Sequence, residues 1–464
     1  MENEKGAPLT GRDDPQQNIR PAGFAEEERR HFDRVLALAL GIGAGLLSCG
    51  ASVSRVEMAV KLICLSCGAK EVNVMALPSV INCSIRLADG SEVSQMKRNC
   101  EVTNNFRRME MYNQLSRDVC AKKLTAEEAE LELERIAVDR GYSLPVSVLS
   151  GGLVAGIFTV YFGGALIDSI PSFIVGCLMM YVNILLSRRD FNSYARTFVL
   201  SLLGGALSIL LSRLFIVFGA HCSVSMVSIG TIMVVVPGLL ICNAVRDMFS
   251  GDIYSGSFEL LNGLLTILAI AAGYSSSIII LRSVMVDLTP VARTGIEDYA
   301  YRIITCLLGA CSVGIMFNCQ LKKIAFGVGN ILATFALYLV IEYYFADDYF
   351  LQFLIPTLLA GLIAEIQARA FKAPSTIFLV PAIIVLVPGG SLYYTVNYIV
   401  NSDMALAQVW GERALLSLLG IAVGISVITA IFQIIHPVKG GAALKRLHRI
   451  KNKQQQRNNQ QQGK

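Results

Sequence analysis

The stretch MVVVPGLLICNAVRDM, residues 233–248, decides the fold together with AIIVLVPGGSLYYTVNYI, residues 382–399. Both are apolar runs interrupted near the middle by a Pro-Gly pair, which begins at Pro237 in the first run and at Pro388 in the second. About 20 apolar residues are long enough for a helix to cross the hydrocarbon core of a bilayer. The two stretches therefore predict two membrane segments, each disturbed at a proline.

The composition around these stretches supports residence in a membrane. The 464 residues are 54% hydrophobic and only 16% charged, whereas soluble globular proteins carry about 25% charged residues. Charged side chains are concentrated in residues 1–145, and residues 146–436 form a series of apolar runs. The chain is therefore predicted to be a polytopic α-helical membrane protein with an N-terminal cytoplasmic α/β domain.

About ten transmembrane helices are predicted, in two groups of five. The first group covers residues 146–164, 166–187, 195–218, 226–246 and 257–281, and the second covers 302–319, 324–341, 350–367, 377–400 and 414–436. The predicted domains are a polar N-terminus at 1–30, the α/β domain at 31–145, membrane modules at 146–282 and 301–436, and a basic Gln-rich tail at 437–464.

The basic residues between the spans give the orientation, because short cytoplasmic loops are enriched in Lys and Arg. With the N-terminus inside, the loops on the inner side contain Arg188, Arg189, Arg246, Lys322, Lys323, Arg369 and Lys372. The loops GAHCSVSM and EYYFADDY on the opposite side contain neither residue type. Both termini are therefore expected in the cytoplasm, and the basic tail is expected next to anionic lipid rather than nucleic acid.

The two groups of spans resemble each other. Pro388 follows Pro237 by 151 residues, and the same offset relates Asp403 to Asp252 and Gly424 to Gly273. A repeat of five spans is an odd number, so its second copy must begin on the other side of the membrane. The pattern predicts two inverted five-helix repeats, an architecture typical of secondary transporters.

The paired Pro-Gly breaks are the first candidate for a substrate site. They comprise Pro237 and Gly238 in the first half, and Pro388, Gly389 and Gly390 in the second. Half-helix N-termini at such breaks can face an anionic group of a substrate. Alternatively, the breaks are kinks that only improve helix packing.

Ionisable residues within or beside the spans are the second candidate, because such residues usually face a cavity or a partner. Asp168 lies early in span two and Glu365 late in span eight, and a proton-coupling role is predicted for one of them. The other candidates are Asn243, Arg246, Asp247, Asp252 and Glu259. Several of these residues lie near span ends, where they could equally have a structural role.

The N-terminal half is predicted to contain a helical stretch from Asp33 to Leu65, a short sheet with a hairpin near Gly90, and two helices, Phe106 to Cys120 and Thr125 to Arg140. Two capping boxes are predicted, one from Ser54 to Glu57 and one from Thr125 to Glu128. The CxxC of Cys64 and Cys67 has no second cysteine pair, so neither a metal nor any other cofactor is expected.

The motifs quoted above, with several others, carry a resemblance to a known family. LLSCGASVSRVEMAVKLICLSCGAKEVNVMALPSVINCSI, NNFRRMEMYNQLSRDV, YFGGALID, VVVPGLLICNAVRDMFSGDIYSG and FLVPAIIVLVPGGSLYYT resemble the threonine/serine exporter family in its fused form. The resemblance covers roughly residues 33–436. It implies efflux of threonine and serine driven by the proton motive force.

The resemblance also carries over site residues. These are Ser54, Arg55 and Glu57 of the SRVE motif, Asp168, and Pro237, Gly238, Asn243, Arg246, Asp247 and Asp252. The expected partners are a small substrate, protons and membrane lipid, and a homo-oligomer is left open. The expected location is the cytoplasmic membrane.

Two alternatives stay open. Relatives split into two polypeptides are linked to dicarboxylate efflux, for which Arg213 and Arg246 would be cationic partners. A membrane-anchored hydrolase would need a nucleophile with a positioned base. No GxSxG, Walker loop or HExxH motif is present in the sequence, so an enzyme is not expected.

The orientation yields a topological prediction. Cysteines introduced one at a time at Arg188 and Lys322, on a background lacking the twelve native cysteines, should react with an impermeant maleimide only from the cytoplasmic side. Cysteines at His221 and Asp347 should react only from outside. Labelling at Asp347 from the cytoplasmic side alone would contradict the inverted arrangement.

Overall fold

The computed structural model describes residues 22–87, 90–99, 104–189, 191–249, 251–281, 296–371, 373–400 and 402–435. The predicted basic tail lies outside the described residues, as do residues 1–21 of the predicted polar N-terminus. The described chain is mostly helical, with one small sheet.

The N-terminal part contains four helices and three strands. In chain order these are α1 (Ala22–Ser48), α2 (Val53–Ser66), β1 (Glu71–Leu77), β2 (Val80–Arg86), β3 (Glu92–Arg98), α3 (Phe106–Cys120) and α4 (Ala126–Val138). The strands form an antiparallel sheet in the order β1-β2-β3, in which Val72 pairs with Ile85 and Ile85 pairs with Val93. These three side chains are buried on the face that the helices cover.

The predicted helical stretch from Asp33 to Leu65 is two helices rather than one. The chain turns between Ser48 and Val53, where Gly50 has a φ of +86°, a conformation that glycine adopts without steric cost. This turn lets α2 fold back on α1, and both helices then pack against the sheet.

Of the two predicted capping boxes, one is confirmed and one is wrong. The Thr125 hydroxyl accepts a hydrogen bond from the Glu128 amide, and the Glu128 carboxylate accepts one from the Thr125 amide. The box from Ser54 to Glu57 does not form, because α2 begins at Val53 and its N-cap is Ser52. Glu57 instead accepts a hydrogen bond of 2.9 Å from the amide of Ala76 in β1, which stabilises the edge of the sheet.

The remaining helices follow the predicted spans. They are α5 (Leu144–Tyr161), α6 (Leu166–Ser187), α7 (Ser193–Val217), α8 (Val224–Ile232), α9 (Gly238–Phe249), α10 (Ile253–Ile280), α11 (Ile296–Met316), α12 (Leu321–Tyr344), α13 (Tyr349–Phe371), α14 (Thr376–Ile383), α15 (Gly389–Val400) and α16 (Met404–Ile435). Eight predicted spans are single long helices, and the fourth and ninth are each divided into two short ones.

Nine helices in the described ranges are long and apolar enough to cross a membrane, which identifies a polytopic membrane protein. Eight of them are the long helices among the predicted spans, and the ninth is α1. The apolar side chains of α1 are mostly buried against α2, α3, α4 and the sheet. Protein contacts therefore already cover the apolar surface that makes α1 resemble a span.

Local structure recurs at the offset of 151 residues. Helices α9 and α15 have the same length and begin 151 residues apart, at Gly238 and Gly389. Backbone hydrogen bonds recur with them: Ile241 N to Pro237 O and Leu392 N to Pro388 O, then Asp252 N to Asp247 O and Asp403 N to Tyr398 O. The turns before α10 and α16 both contain a residue with positive φ, Gly251 and Ser402.

Helix packing recurs in the same way. In the first five segments α5 packs on α6, α6 on α7, α7 on α10, and α8 on α5, α6 and α7; in the second five α11 packs on α12, α12 on α13, α13 on α16, and α14 on α11, α12 and α13. Gly273 and Gly424 have matching places in this arrangement. A methyl group at Gly273 would overlap Ser201 of α7, and one at Gly424 would overlap Thr357 of α13.

The N-terminal part docks on one end of the helix bundle, which we call the near face; the opposite end is the far face. The Phe106 amide donates to the Phe317 carbonyl at the end of α11. Tyr142 makes two hydrogen bonds to the loop after α11. Its amide donates to Asn318 Oδ1, and its hydroxyl donates to the Cys319 carbonyl. An ion pair joins Glu110 of α3 to Lys323 in the first turn of α12.

Candidate functional site

Both divided segments break at the predicted Pro-Gly pairs. Helix α8 ends at Ile232 and α9 begins at Gly238, whereas α14 ends at Ile383 and α15 begins at Gly389. Residues 377–390 are buried throughout, so most backbone groups there need partners within the protein. The prediction that each run is disturbed at its proline is confirmed.

Hydrogen bonds within the protein satisfy some of the backbone groups at the breaks. The Val235 amide bonds to the Ile232 carbonyl, and the Leu386 amide bonds to the Ile383 carbonyl. The Tyr161 hydroxyl, at the far end of α5, donates to the Val385 carbonyl at 3.1 Å. A side chain from another segment therefore stabilises the second break.

The two breaks meet in the interior of the bundle. A methyl group at Gly238 would overlap the side chain of Val387, and one at Gly389 would overlap that of Met233. Each break thus places a glycine where the other break leaves no room for a side chain. This contact, which we call the crossing, brings Pro237, Gly238, Pro388 and Gly389 together.

A cavity of about 350 Å³ extends from the second break toward the far face, and we call it the far cavity. Its lining combines the break with aromatic residues from five other helices. The lining residues are Tyr161, Phe162, Met226, Tyr338, Phe353, Val385, Leu386, Val387, Pro388, Gly390, Ser391, Tyr394 and Trp410. The predicted residues Pro388 and Gly390 therefore line a cavity of a size usual for small-molecule sites.

Aromatic side chains and a helix N-terminus provide the chemistry of the far cavity. Tyr394 and Trp410 stack with ring centroids 4.6 Å apart. Helix α15 begins at the cavity wall, where Gly390 and Ser391 lie in its first turn. First-turn amides of a helix have no partner within the helix and carry a partial positive charge. The Arg413 guanidinium already lies over the Trp410 ring, 4.9 Å from its centroid. The cavity thus offers amides to an anion, and its other aromatic rings can contact a cation.

A charged pair that was not among the predicted site residues adjoins this cavity. The Arg302 guanidinium on α11 donates two hydrogen bonds to the Glu342 carboxylate on α12, at 2.7 and 3.0 Å. The hydroxyl of Tyr338, which lines the cavity, also donates to Glu342, at 2.9 Å. Arg302 and Glu342 lie near the far ends of their helices. Their signal in the sequence was two opposite charges at the edges of neighbouring predicted spans, with Arg302 at the start of one and Glu342 directly after the other.

Asp168 lies at the far face with both carboxylate oxygens engaged. Oδ2 accepts from the Ala165 amide at 2.7 Å, and Oδ1 accepts from the Ser223 amide at 2.8 Å. Ser223 is the N-cap of α8, so the buried Asp168 carboxylate joins the start of α6 to the start of α8. These contacts indicate a structural role for Asp168, which holds the starts of the two helices together.

The remaining predicted carboxyls lie in the near half of the bundle. Glu365 pairs with Arg369 one turn later on α13, at 2.8 Å. Glu259 lies in the second turn of α10, and Asp252 is the N-cap of that helix. Burial and the charge of Asp247 raise the pKa of Asp252. None of these residues lines the far cavity.

Three further predicted residues lie on α9. Asp247 is buried, and its backbone carbonyl accepts a hydrogen bond from the Asp252 amide at 3.0 Å. Asn243 is half-buried there. The backbone of Arg246 belongs to the same helix, but its side chain lies outside the described residues.

The SRVE motif lies at the start of α2. Ser54 is exposed, and Glu57 bonds to β1 as described above. Arg55 lines a second cavity, of about 690 Å³, between α3 and the near ends of α13 and α14. We call it the near cavity, and its lining residues are Arg55, Glu110, Asn113, Gln114, Arg117, Asp118, Ala121, Lys123, Ala368, Phe371, Ala373 and Pro374.

The CxxC cysteines lie at the end of α2. Burial raises the pKa of the Cys67 thiol, which opposes the thiolate form that metals bind. Within the described ranges, no three His, Cys, Asp or Glu side chains form a group that could hold a metal ion.

Comparison with known proteins identifies both halves of the chain. Residues 37–281 match the model of a threonine/serine exporter family, and residues 302–431 match a second model, described as "Threonine/Serine exporter, ThrE". The first match alone covers more than half of the chain. No curated protein and no solved structure matches it.

The crossing generates a prediction about stability. Gly238→Ala should destabilise the detergent-solubilised protein by about 1–3 kcal/mol, because the added methyl group overlaps Val387 in a packed interior. Adding Val387→Ala should recover part of this loss by making room. Thermal unfolding followed by size exclusion measures both effects.

The matched control is Gly329→Ala on α12, where a methyl group would meet no atom within 4 Å. This change should be neutral or stabilising, since alanine favours helix over glycine. Equal losses in Gly238→Ala with and without Val387→Ala would contradict a tight crossing.

Proposed function

Because the chain belongs to the threonine/serine exporter family, we propose that it is a secondary active exporter of threonine and serine, driven by the proton motive force. Family membership supports a transporter rather than an enzyme. The observation that carries the proposal for this chain is the far cavity at the second helix break.

The chemistry of the far cavity suits a small zwitterion. The first-turn amides of α15 face the cavity and can donate to a carboxylate. The rings of Tyr161 and Tyr394, which also line the cavity, can hold an ammonium group. A volume of about 350 Å³ accommodates an amino acid with a short side chain. The hydroxyl of Ser391, or that of Tyr394, can bond to the substrate hydroxyl.

We further propose that the two groups of five segments are inverted repeats that alternate access to a central site. The recurring turns and helix contacts support this proposal. In the conformation described, the crossing lies between the far cavity and the near half of the bundle. Movement of one repeat against the other would open the opposite side, as inverted repeats do in other secondary transporters.

In this proposal the near face is cytoplasmic and the bilayer is the cytoplasmic membrane. The basic residues Arg188, Arg189, Lys322 and Lys323 support this orientation, because all four lie at the near ends of their helices. The N-terminal part would then be a cytoplasmic domain on the inner mouth of the transporter.

Three carboxyls are candidates for carrying the coupled proton. Asp168 and Glu365 were predicted, and their described partners are backbone amides and a neighbouring arginine, respectively. Glu342 is linked directly to the far cavity, because its carboxylate accepts a hydrogen bond from the hydroxyl of the lining residue Tyr338. Protonating Glu342 would weaken its bonds to Arg302 and release the Tyr338 hydroxyl, which would couple a proton to the shape of the site.

The substrate assignment is tested by counterflow in proteoliposomes. Vesicles loaded with threonine should accumulate labelled threonine and labelled serine. Trp410 is the only tryptophan of the chain and lines the far cavity, so threonine should also change its fluorescence. Counterflow with succinate but not with threonine or serine would replace this proposal with dicarboxylate export.

The coupling assignment yields a second prediction. Glu342→Gln should abolish efflux driven by a proton gradient while leaving threonine exchange partly intact, because exchange needs no net proton movement. Glu365→Gln is the matched control, because Glu365 also pairs with an arginine, Arg369. This variant should retain gradient-driven efflux. Loss of coupling in Glu365→Gln or Asp168→Asn, with Glu342→Gln unaffected, would transfer the role to those residues.

A further inference from the structure

The near cavity has polar walls that the transport site does not explain. Four of its lining residues, Glu110, Asn113, Gln114 and Arg117, occur at helical positions i, i+3, i+4 and i+7 of α3. This spacing places them in one stripe along the helix. The opposite face of α3 is buried in the N-terminal part through Phe106, Met109, Tyr112, Leu115 and Val119. Helix α3 thus directs a polar stripe toward the membrane helices.

The charges of the near cavity leave it with excess positive charge. Its two carboxylates are both engaged by lysines, Glu110 by Lys323 and Asp118 by Lys123 at 2.9 Å. The guanidinium of Arg117 donates to a neutral acceptor, Gln114 Oε1, at 2.6 Å. Arg55 also lines this wall. Guanidinium groups bind carboxylates through paired hydrogen bonds.

The same walls can accept an ammonium group and cover a short side chain. The Asn113 amide nitrogen donates to the Met109 carbonyl at 2.7 Å, so its Oδ1 is the end that can accept. Phe371, Ala373 and Pro374 supply an apolar surface from the membrane side. Hydrogen-bond donors for a carboxylate, an acceptor for an ammonium group and a small apolar wall together match an α-amino acid.

The near cavity lies at one end of the second divided segment, and the far cavity lies at the other. Pro374 lines the near cavity just before α14, and the Thr376 hydroxyl in the first turn of α14 contacts Met109 Sδ of α3 at 3.8 Å. Helix α14 then runs buried to the break at Val385, where the far cavity begins. A ligand in the near cavity would therefore stand at the entrance to this segment.

From this arrangement we propose that the near cavity is a second binding site for the free amino acid, with Arg117 holding its carboxylate. It captures substrate from the cytoplasm before transport. The identity of the ligand rests on the proposed function, whereas the site itself rests on the walls described above. The α3 stripe thereby acquires a role in ligand binding.

Tryptophan reporters can test the two cavities separately in the full-length protein. Trp410 of the native chain reports on the far cavity, and Phe371→Trp in a Trp410→Phe background reports on the near cavity. We expect L-threonine and L-serine to change the fluorescence of both reporters. Arg117→Gln should raise the half-saturating concentration at the near reporter about tenfold or more, as expected for a lost charged hydrogen bond, and leave the Trp410 response unchanged.

Arg135→Gln on α4 is the matched control, because it removes the same charge from an exposed residue that pairs with Glu132 at 3.3 Å. It should alter neither reporter. Equilibrium dialysis of labelled threonine, without the Phe371→Trp change, gives an independent measurement. Two molecules should bind each native chain, and one of the two should bind about tenfold more weakly in the Arg117→Gln chain.

A single bound threonine per native chain, unchanged in Arg117→Gln, would overturn the near-cavity proposal. The same holds if Arg117→Gln and Arg135→Gln shift the near reporter equally. Failure of the proposed function is distinguishable, because it would abolish counterflow and the Trp410 response, neither of which depends on the near reporter.

Discussion

The need to satisfy backbone hydrogen bonds away from water is the constraint on which the rest of this structure depends. A continuous helix satisfies its own amides and carbonyls, but the Pro-Gly pairs interrupt two membrane segments and free those groups. The second break is consequently buried throughout, and the two breaks pack against each other and against side chains such as Tyr161. The surrounding long helices are needed to shield them from lipid.

Burying the two breaks together also determines where space is left. The glycines at the crossing allow close contact between the divided segments, and that contact separates the far cavity from the near half of the bundle. Because α15 begins directly at the second break, its N-terminal amides meet aromatic rings that come from helices distant in sequence. Satisfying the backbone and building a polar site within an apolar bundle are therefore parts of one arrangement.

The charged residues of the bundle divide by what they contact. Asp168 joins two helix starts, and Glu365 pairs with an arginine on its own helix. Arg302 and Glu342 connect two helices and reach the far cavity through the Tyr338 hydroxyl. A partly buried ion pair such as this one is weak evidence for stability, because desolvation opposes it. Its link to a cavity residue is what makes this pair a candidate for coupling.

The sequence by itself determined the apolar spans, the positions of both breaks, the hairpin strands and the α3 and α4 helices, because each depends on local composition or periodicity. It also located Pro388 and Gly390, since a proline marks its own backbone defect. Only the tertiary structure decided which side chains surround that defect. Tyr161, Tyr338, Tyr394 and Trp410 lie on four different helices, and a helical sequence pattern does not tell which neighbour a face will meet. The same reason applies to Arg302 and Glu342, which are 40 residues apart, and to Glu57, whose capping role was replaced by a bond to a strand that only folding brings near.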